Sequence, residues 1–232
     1  MKYTLRLHRT VLGGFFLLGA VTLPLEAPAA DTPGASDYTR VPDTFIYCTT
    51  CHGVELRGNE SVDAPRLNGM EDWYLRNQMR AFANGWRGTH PEDLIGMEMQ
   101  PQAAALDEKQ RDAAVAFVTS VPVRTSTLRY TVQADATRGA TLYTTCAACH
   151  GSRGEGNAAL QAPKLAGQSD WYLVRQLDKY LSGARGYEPE DTQGVQMRAA
   201  AAVLGSPEDV RDLVAHINSF TSAATQTTQE NP

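Results

Sequence analysis

Shifted by 98 residues, the chain lies on top of itself. Ala64-Pro65-Arg66-Leu67 falls on Ala162-Pro163-Lys164-Leu165, and Asp72-Trp73-Tyr74-Leu75 falls on an identical Asp170-Trp171-Tyr172-Leu173. Gly85, Arg87 and Gly88 meet Gly183, Arg185 and Gly186; Pro91, Asp93 and Gly96 meet Pro189, Asp191 and Gly194; Met99 meets Met197 and Leu106 meets Leu204. Near the end the register slips by one, so that Ala116-Phe117-Val118 matches Ala215-His216-Ile217. Such self-similarity is the signature of one supersecondary unit written twice. The 232 residues therefore read as two small domains rather than one large one.

The periodicity inside each unit is helical. Leu75, Met79 and Phe82 recur on one helical face after Asp72, with Gly85 and Gly183 as stops. A first helix is expected over Pro42–Cys51 in one copy and Ala136–Cys149 in the other. A last helix follows Asp107 and Ser206, where Ser206-Pro207-Glu208-Asp209 combines a capping residue, an early proline and early acids. No alternating β-branched run is long enough for a sheet, so the fold class is all-α. The polar, β-branched stretch 122–134 suits an extended connector, and the Thr/Gln-rich end, 222–232, an unstructured tail. Units of about 90 residues struggle to bury enough apolar surface alone. A large apolar cofactor at the centre of each would remove that difficulty.

All four cysteines fall within the repeat, as Cys48-Thr49-Thr50-Cys51-His52 and Cys146-Ala147-Ala148-Cys149-His150. C-x-x-C followed directly by His is the attachment signature of c-type haem. Two cysteines three positions apart lie about one helical turn from each other, so both sulfurs can form thioethers with the vinyl groups of one haem. The next residue, His52 or His150, then comes beneath the iron as an axial ligand. The repeat also nominates the opposite ligand. Met70 meets Gln168, Met79 meets Leu177 and Met97 meets Val195; only Met99 is matched by a methionine, Met197, roughly 50 residues beyond each motif. Met97 competes with Met99 in the first unit, being two residues away. His/Met ligation raises the haem potential and closes both axial positions, which favours electron transfer over catalysis. A structural zinc site or a disulfide pair would use the same four cysteines, but neither accounts for the adjacent histidines and the in-register methionines.

At the N-terminus, Lys2, Arg6 and Arg9 precede an uncharged run, Thr10–Leu25, and the small-residue site Ala27-Pro28-Ala29. This is the pattern of a secretory signal peptide cut after Ala29. The run, broken by glycines and a proline, falls short of the ~20 residues that span a bilayer as a retained anchor. No other segment is apolar enough to cross a membrane. The expected division is a signal peptide (1–29), a first unit (30–124), a second unit (125–221, with its connector) and the tail. Without residues 1–29, 18 basic and 25 acidic residues remain, a net charge of −7. That balance argues against nucleic acid as a partner, since phosphate binding needs a basic face. His90 reads as a surface residue and His216, in place of Phe117, as a packing or surface residue. Trp73/Trp171 and Tyr74/Tyr172 read as core or as hydrogen-bond partners of haem propionates, and Arg87 and Arg185 as candidates to pair with propionates.

The order CxxCH, then Ala-Pro-x-Leu, then a distant methionine before a final amphipathic helix resembles class I cytochrome c. Two such units behind a signal peptide resemble the diheme cytochrome c4 family, over roughly residues 36–220. The resemblance implies two covalently bound haem c groups, each enclosed by one unit. Cys48, Cys51, Cys146 and Cys149 would carry the thioethers, and His52, Met99, His150 and Met197 the axial bonds, with the carbonyls of Pro65 and Pro163 holding the histidines. It further implies a periplasmic shuttle of single electrons from a quinol-oxidising complex or dehydrogenase to a terminal oxidase or reductase. A diheme enzyme of the peroxidase or sulfur-compound oxidase type, with one reachable iron, is the alternative. The stretch Gly85–Met99 also resembles c-type domains attached to oxidase subunits. Gly139 and Tyr143 match the family at its terminal-helix crossing. The first unit has Val41 and Phe45 there, so its packing is expected to differ.

Overall fold

The computed structural model describes residues 41–123 and 128–226, with side chains as far as Thr221. The expected signal peptide and its cleavage site lie outside the described residues. Four helices build the first copy: α1 (Ile46–His52), α2 (Asp72–Ala83), α3 (Leu94–Ala104) and α4 (Glu108–Ser120). Four build the second: α5 (Ala136–His150), α6 (Asp170–Ser182), α7 (Thr192–Ala201) and α8 (Pro207–Gln226). Among the described residues the only β-type pairings are the isolated bridges Asn59–Ala64 and Asn157–Ala162, so the all-α expectation holds. None of the described helices is long and apolar enough to cross a membrane.

Local chemistry explains most helix ends. Asp107 and Gln110 form a reciprocal capping box at the start of α4. Asp135 accepts from the amides of Thr137 and Arg138 at the start of α5. Gly183 caps α6 in the left-handed conformation, as its position suggests; α2 ends at Asn84, one residue before Gly85. The methionine-bearing helices α3 and α7 are additions to the sequence reading. Pro101 inside α3 and the weak amphipathic pattern of both conceal them, yet Asp93 and Asp191 cap them by accepting from Gly96 N at 2.9 Å and Gly194 N at 3.0 Å. At the other end of the chain, α8 runs to Gln226, into the stretch read as an unstructured tail. No glycine or proline lies between Pro207 and Gln226 to stop it.

The copies differ most at their terminal helices. In the second, α5 crosses α8 with Gly139 at the contact: a Cβ there would lie 1.9 Å from Asp212 O. Tyr143 packs on His216 and Phe220, with ring centroids 5.5 and 5.0 Å away, which makes His216 a packing residue. Arg138 pairs with Asp209 and Asp212 across the crossing. In the first copy Val41 stands where Gly139 would be, and the long helix is reduced to α1 behind a 3-10 turn, Asp43–Phe45. There Phe45 stacks on Phe117 at 5.3 Å instead. The expected difference in packing is therefore present.

Both copies belong to one compact unit, Thr39–Pro232. At their junction the repeat becomes a two-fold contact. Arg87 donates to Gln78 of its own copy at 2.7 Å and across the boundary to Gln176 at 2.9 Å and Tyr172 at 3.0 Å. Arg185 mirrors it, donating to Gln176 at 2.9 Å and across to Gln78 at 2.8 Å, with Tyr74 as its phenolic partner. Each glutamine oxygen thus receives two guanidinium N–H groups, one from each copy. The arginines are 5% and 4% exposed, and neither has a carboxylate partner among the described residues. Replacing Gln78 with leucine removes the acceptor shared by two buried guanidinium groups. The variant is expected to lose about 2–3 kcal/mol in chemical denaturation; an unchanged midpoint would show the network to be ornamental. Asn77 to Gln161 at 2.8 Å, Arg175 with Asp63, and Lys179 with the fully buried Asp93 extend the junction.

Candidate functional site

In each copy the C-x-x-C helix ends on its histidine, and a glycine with positive φ turns the chain away. The helix thereby drives His52 and His150 inward, to 7% and 6% exposure. The returning loop closes over them. Leu67 and Asn68 amides donate to Leu56 O in the first copy, and Leu165 and Ala166 amides to Gly154 O in the second. This fold-back brings the Ala-Pro-x-Leu stretch against the imidazoles, with His52 Nδ1 2.8 Å from Pro65 O and His150 Nδ1 2.7 Å from Pro163 O.

Those two contacts fix the tautomer. A carbonyl oxygen only accepts, so Nδ1 carries the proton and Nε2 presents a bare lone pair. Burial pushes both imidazoles down from their ordinary pKa, opposed by the proline carbonyls and, for His150, by the carboxylate of Glu71. Each ring is thus held neutral and oriented, the state in which imidazole binds a metal. The half-buried thiols of Cys48 and Cys146 are pushed up by desolvation, unlike the lowered values of redox-active cysteines. The zinc alternative finds no support in the geometry. Among the described residues no three His, Cys, Asp or Glu side chains converge as a metal site.

The second copy encloses an apolar cavity of about 200 Å³. Cys146, Cys149, His150 and Met197 all line it, together with leucines and isoleucine of the core formed by α6 and α8. Two thiols, a bare imidazole nitrogen and a thioether around one apolar space are the donor set that a covalently held haem needs, so the residues present fit that group. The wall is not made by the second copy alone: Met70, Tyr74, Asn77 and Gln78 of the first copy complete it.

In the first copy Cys48 packs on the core of Phe45, Leu75, Val115 and Phe117, beside Leu67, Met70 and Met79. Met99 is half-buried on α3, whereas Met97 is 45% exposed, like its counterpart Val195 at 40%. Of the residues offered as propionate partners, Arg87, Arg185, Tyr172 and Tyr74 are engaged at the junction between the copies. Trp73 and Trp171 are half-buried against Tyr74 and Tyr172. His90 is half-buried beside the Tyr187 ring, 5.2 Å away. A residue the sequence reading passed over is Glu71, which reaches the loop beside His150. Only its position three residues after Asn68, at the start of α2, could have drawn notice.

Comparison with known proteins agrees with this geometry. The family model for cytochrome c matches twice, over residues 44–122 and 136–221. A thiosulfate dehydrogenase electron acceptor from Stutzerimonas stutzeri is 34% identical over 78% of this chain and 85% of its own. The crystal structure of reduced cytochrome c4 from Pseudomonas stutzeri superposes with a TM-score of 0.59, at 27% identity, over 75% of this chain and 93% of that one. Thiosulfate dehydrogenase (TsdBA) from Marichromatium purpuratum gives a TM-score of 0.59 at 31% identity over 73% of this chain, which spans only 35% of that longer protein. With two buried, carbonyl-locked histidines on C-x-x-C-H helices and two family matches in tandem, the chain belongs to the cytochrome c family, as a two-domain, cytochrome c4-like member.

Proposed function

We propose that the protein is an exported diheme electron carrier of the periplasm, with haem c attached at Cys48 and Cys51 in the first copy and at Cys146 and Cys149 in the second. His52 with Met99, and His150 with Met197, are the axial pairs. The observation that carries this reading is the convergence of both thiols, the locked imidazole and the matched methionine on one apolar cavity of the second copy. Haem, when bound, supplies a one-electron iron couple. The chain's part is to hold neutral imidazoles in one orientation, exclude water with its apolar walls and keep each thioether within the same enclosure. A site closed on both faces gives electrons a path and substrates no vacant position, which favours carriage over catalysis. The relatives named as thiosulfate dehydrogenase electron acceptors support a sulfur-compound dehydrogenase as donor, with a terminal oxidase or reductase as acceptor.

Protein matured in a host that attaches c-type haem provides the test. Two haem masses retained after denaturation, with low-spin His/Met spectra, are the expected result. No covalent haem would overturn the proposal, and a high-spin signal from one site would turn it towards a haem enzyme. Rapid reduction by a thiosulfate dehydrogenase with its substrate, but not by thiosulfate alone, would fit the donor assignment; equal rates would remove it. The choice at the first site is tested by two variants. Met99→Leu is expected to lower one potential, by on the order of 0.1 V within the ~0.8 V range that axial ligands span. Met97→Leu, at an exposed position, is expected to move neither. The opposite pattern would transfer the role to Met97.

A further inference from the structure

Glu71 occupies the N-cap position of α2, where a carboxylate ordinarily accepts from the first amides of its own helix. It makes no such bond. Its side chain crosses the junction instead, and Oε1 accepts from Lys164 N at 2.9 Å. Lys164 follows Pro163, whose carbonyl holds His150 Nδ1. Gly156 makes the approach possible: at φ +86° it has no side chain, and a Cβ there would come within 2.7 Å of Glu71 Oε1. The second oxygen, Oε2, is buried and has no hydrogen-bond partner among the described residues. The first copy therefore places a carboxylate, only half satisfied, in the wall behind the histidine of the second.

Among the described residues, no carboxylate takes the equivalent place beside His52. The residue in register with Glu71 is Ser169, whose amide is taken up by the neighbouring Gln168 side chain at 2.8 Å. The reciprocal contact is neutral, with Gln168 Nε2 donating to Arg66 O at 3.0 Å. A Cβ on Gly58, the partner of Gly156 in the repeat, would meet backbone of its own loop.

We propose that Glu71 is a positioning residue for the second haem, supplied by the first copy: it clamps the Pro163–Lys164 segment and lowers the potential of the second haem relative to the first. This rests on the reading of His150 as that haem's ligand. The physical reason is charge. Oxidised haem iron carries one more positive charge than reduced iron, and a carboxylate in a poorly screened wall stabilises the oxidised state. Glutamine at this position keeps an oxygen for Lys164 N and removes only the charge.

Redox titration of the full-length holoprotein, read by absorbance, tests the proposal. Met197→Ala first identifies which potential belongs to the second haem. Glu71→Gln is then expected to raise that potential by a three- to tenfold change in the one-electron equilibrium constant, tenfold being about 59 mV. The other potential stays in place. Glu71→Asp, which keeps the charge, is expected to remain closer to the parent. Glu108→Gln, at an exposed position on α4, controls for net charge and moves neither. If Glu71→Gln moves neither potential, both equally, or only the first, the proposal is overturned. If Met197→Ala shifts no potential, the ligand assignment itself fails, and the role given to Glu71 falls with it; that outcome is read before any Glu71 variant is made.

Discussion

Met197→Ala is expected to lower one of the two reduction potentials by on the order of 0.1 V and leave the other in place. A thioether is a soft, neutral donor that favours ferrous iron, and its loss shifts the balance to the ferric state. Met197 is packed against the core of the second copy and lines the same cavity as His150. Alanine there frees a coordination position without adding bulk, so small anions such as cyanide should bind the variant readily and the parent slowly. Potentiometry and cyanide-binding rates on the same preparations give both readouts. A variant with the parent's spectrum and potentials would exclude Met197 as a ligand and, through the repeat, weaken Met99 equally.

The largest loss of stability is expected from Gly139→Val, at about 3 kcal/mol or more. The obstacle to a side chain is the backbone of Asp212, 1.9 Å from where the Cβ would sit, rather than a group that can rotate away. To admit valine, α5 and α8 must separate. Separation disturbs the stack of Tyr143, His216 and Phe220, the pairing of Arg138 with Asp209 and Asp212, and the bond from Tyr143 OH to Gly151 O at 2.7 Å. Valine is the informative choice because Val41 stands at the matching position of the first copy, where no long helix forms. Chemical denaturation followed by circular dichroism measures the cost. A midpoint equal to the parent's would mean that the crossing tolerates a wider spacing than the contact implies.

Much of this was legible in the sequence because the repeat acts as an internal alignment. It exposes the paired motifs and singles out Met99 and Met197 as the methionines in register, while the family resemblance marks Val41 and Phe45 as the place where the first copy's terminal-helix packing should differ. The structure adds half-burial of Met99 and exposure of Met97, consistent with the register. What stayed hidden depends on contacts between the copies. Asp72 and Asp170 belong to the same four-residue motif, yet Asp72 is exposed and pairs with Arg76, while Asp170 is fully buried and accepts from the connector amides, including Val132 N at 2.6 Å. Arg87 and Arg185 share Gln78 and Gln176 across the two copies, a contact that a lone sequence cannot show. The helices α3 and α7 escaped notice because their inward face is narrow and their start signal is a single aspartate. Glu71 could not be found by comparing the copies, since its counterpart is a serine.

The two-fold network also bears on ancestry. A contact in which Arg87 treats Gln176 as Arg185 treats Gln78 is one that two identical, separate subunits could make, and in such a pair every substitution appears on both sides. Fusion into one chain removes that constraint. Lys179, which pairs with Asp93, has Ala81 in the mirror position, and Glu71 has Ser169. Neither contact has its reflection. The symmetric centre has the form of a contact between two like subunits, whereas the one-sided contacts around it are ones that only a chain with two unlike halves can hold. Duplication thus let two haem environments of common origin diverge, each half becoming part of the other's surroundings.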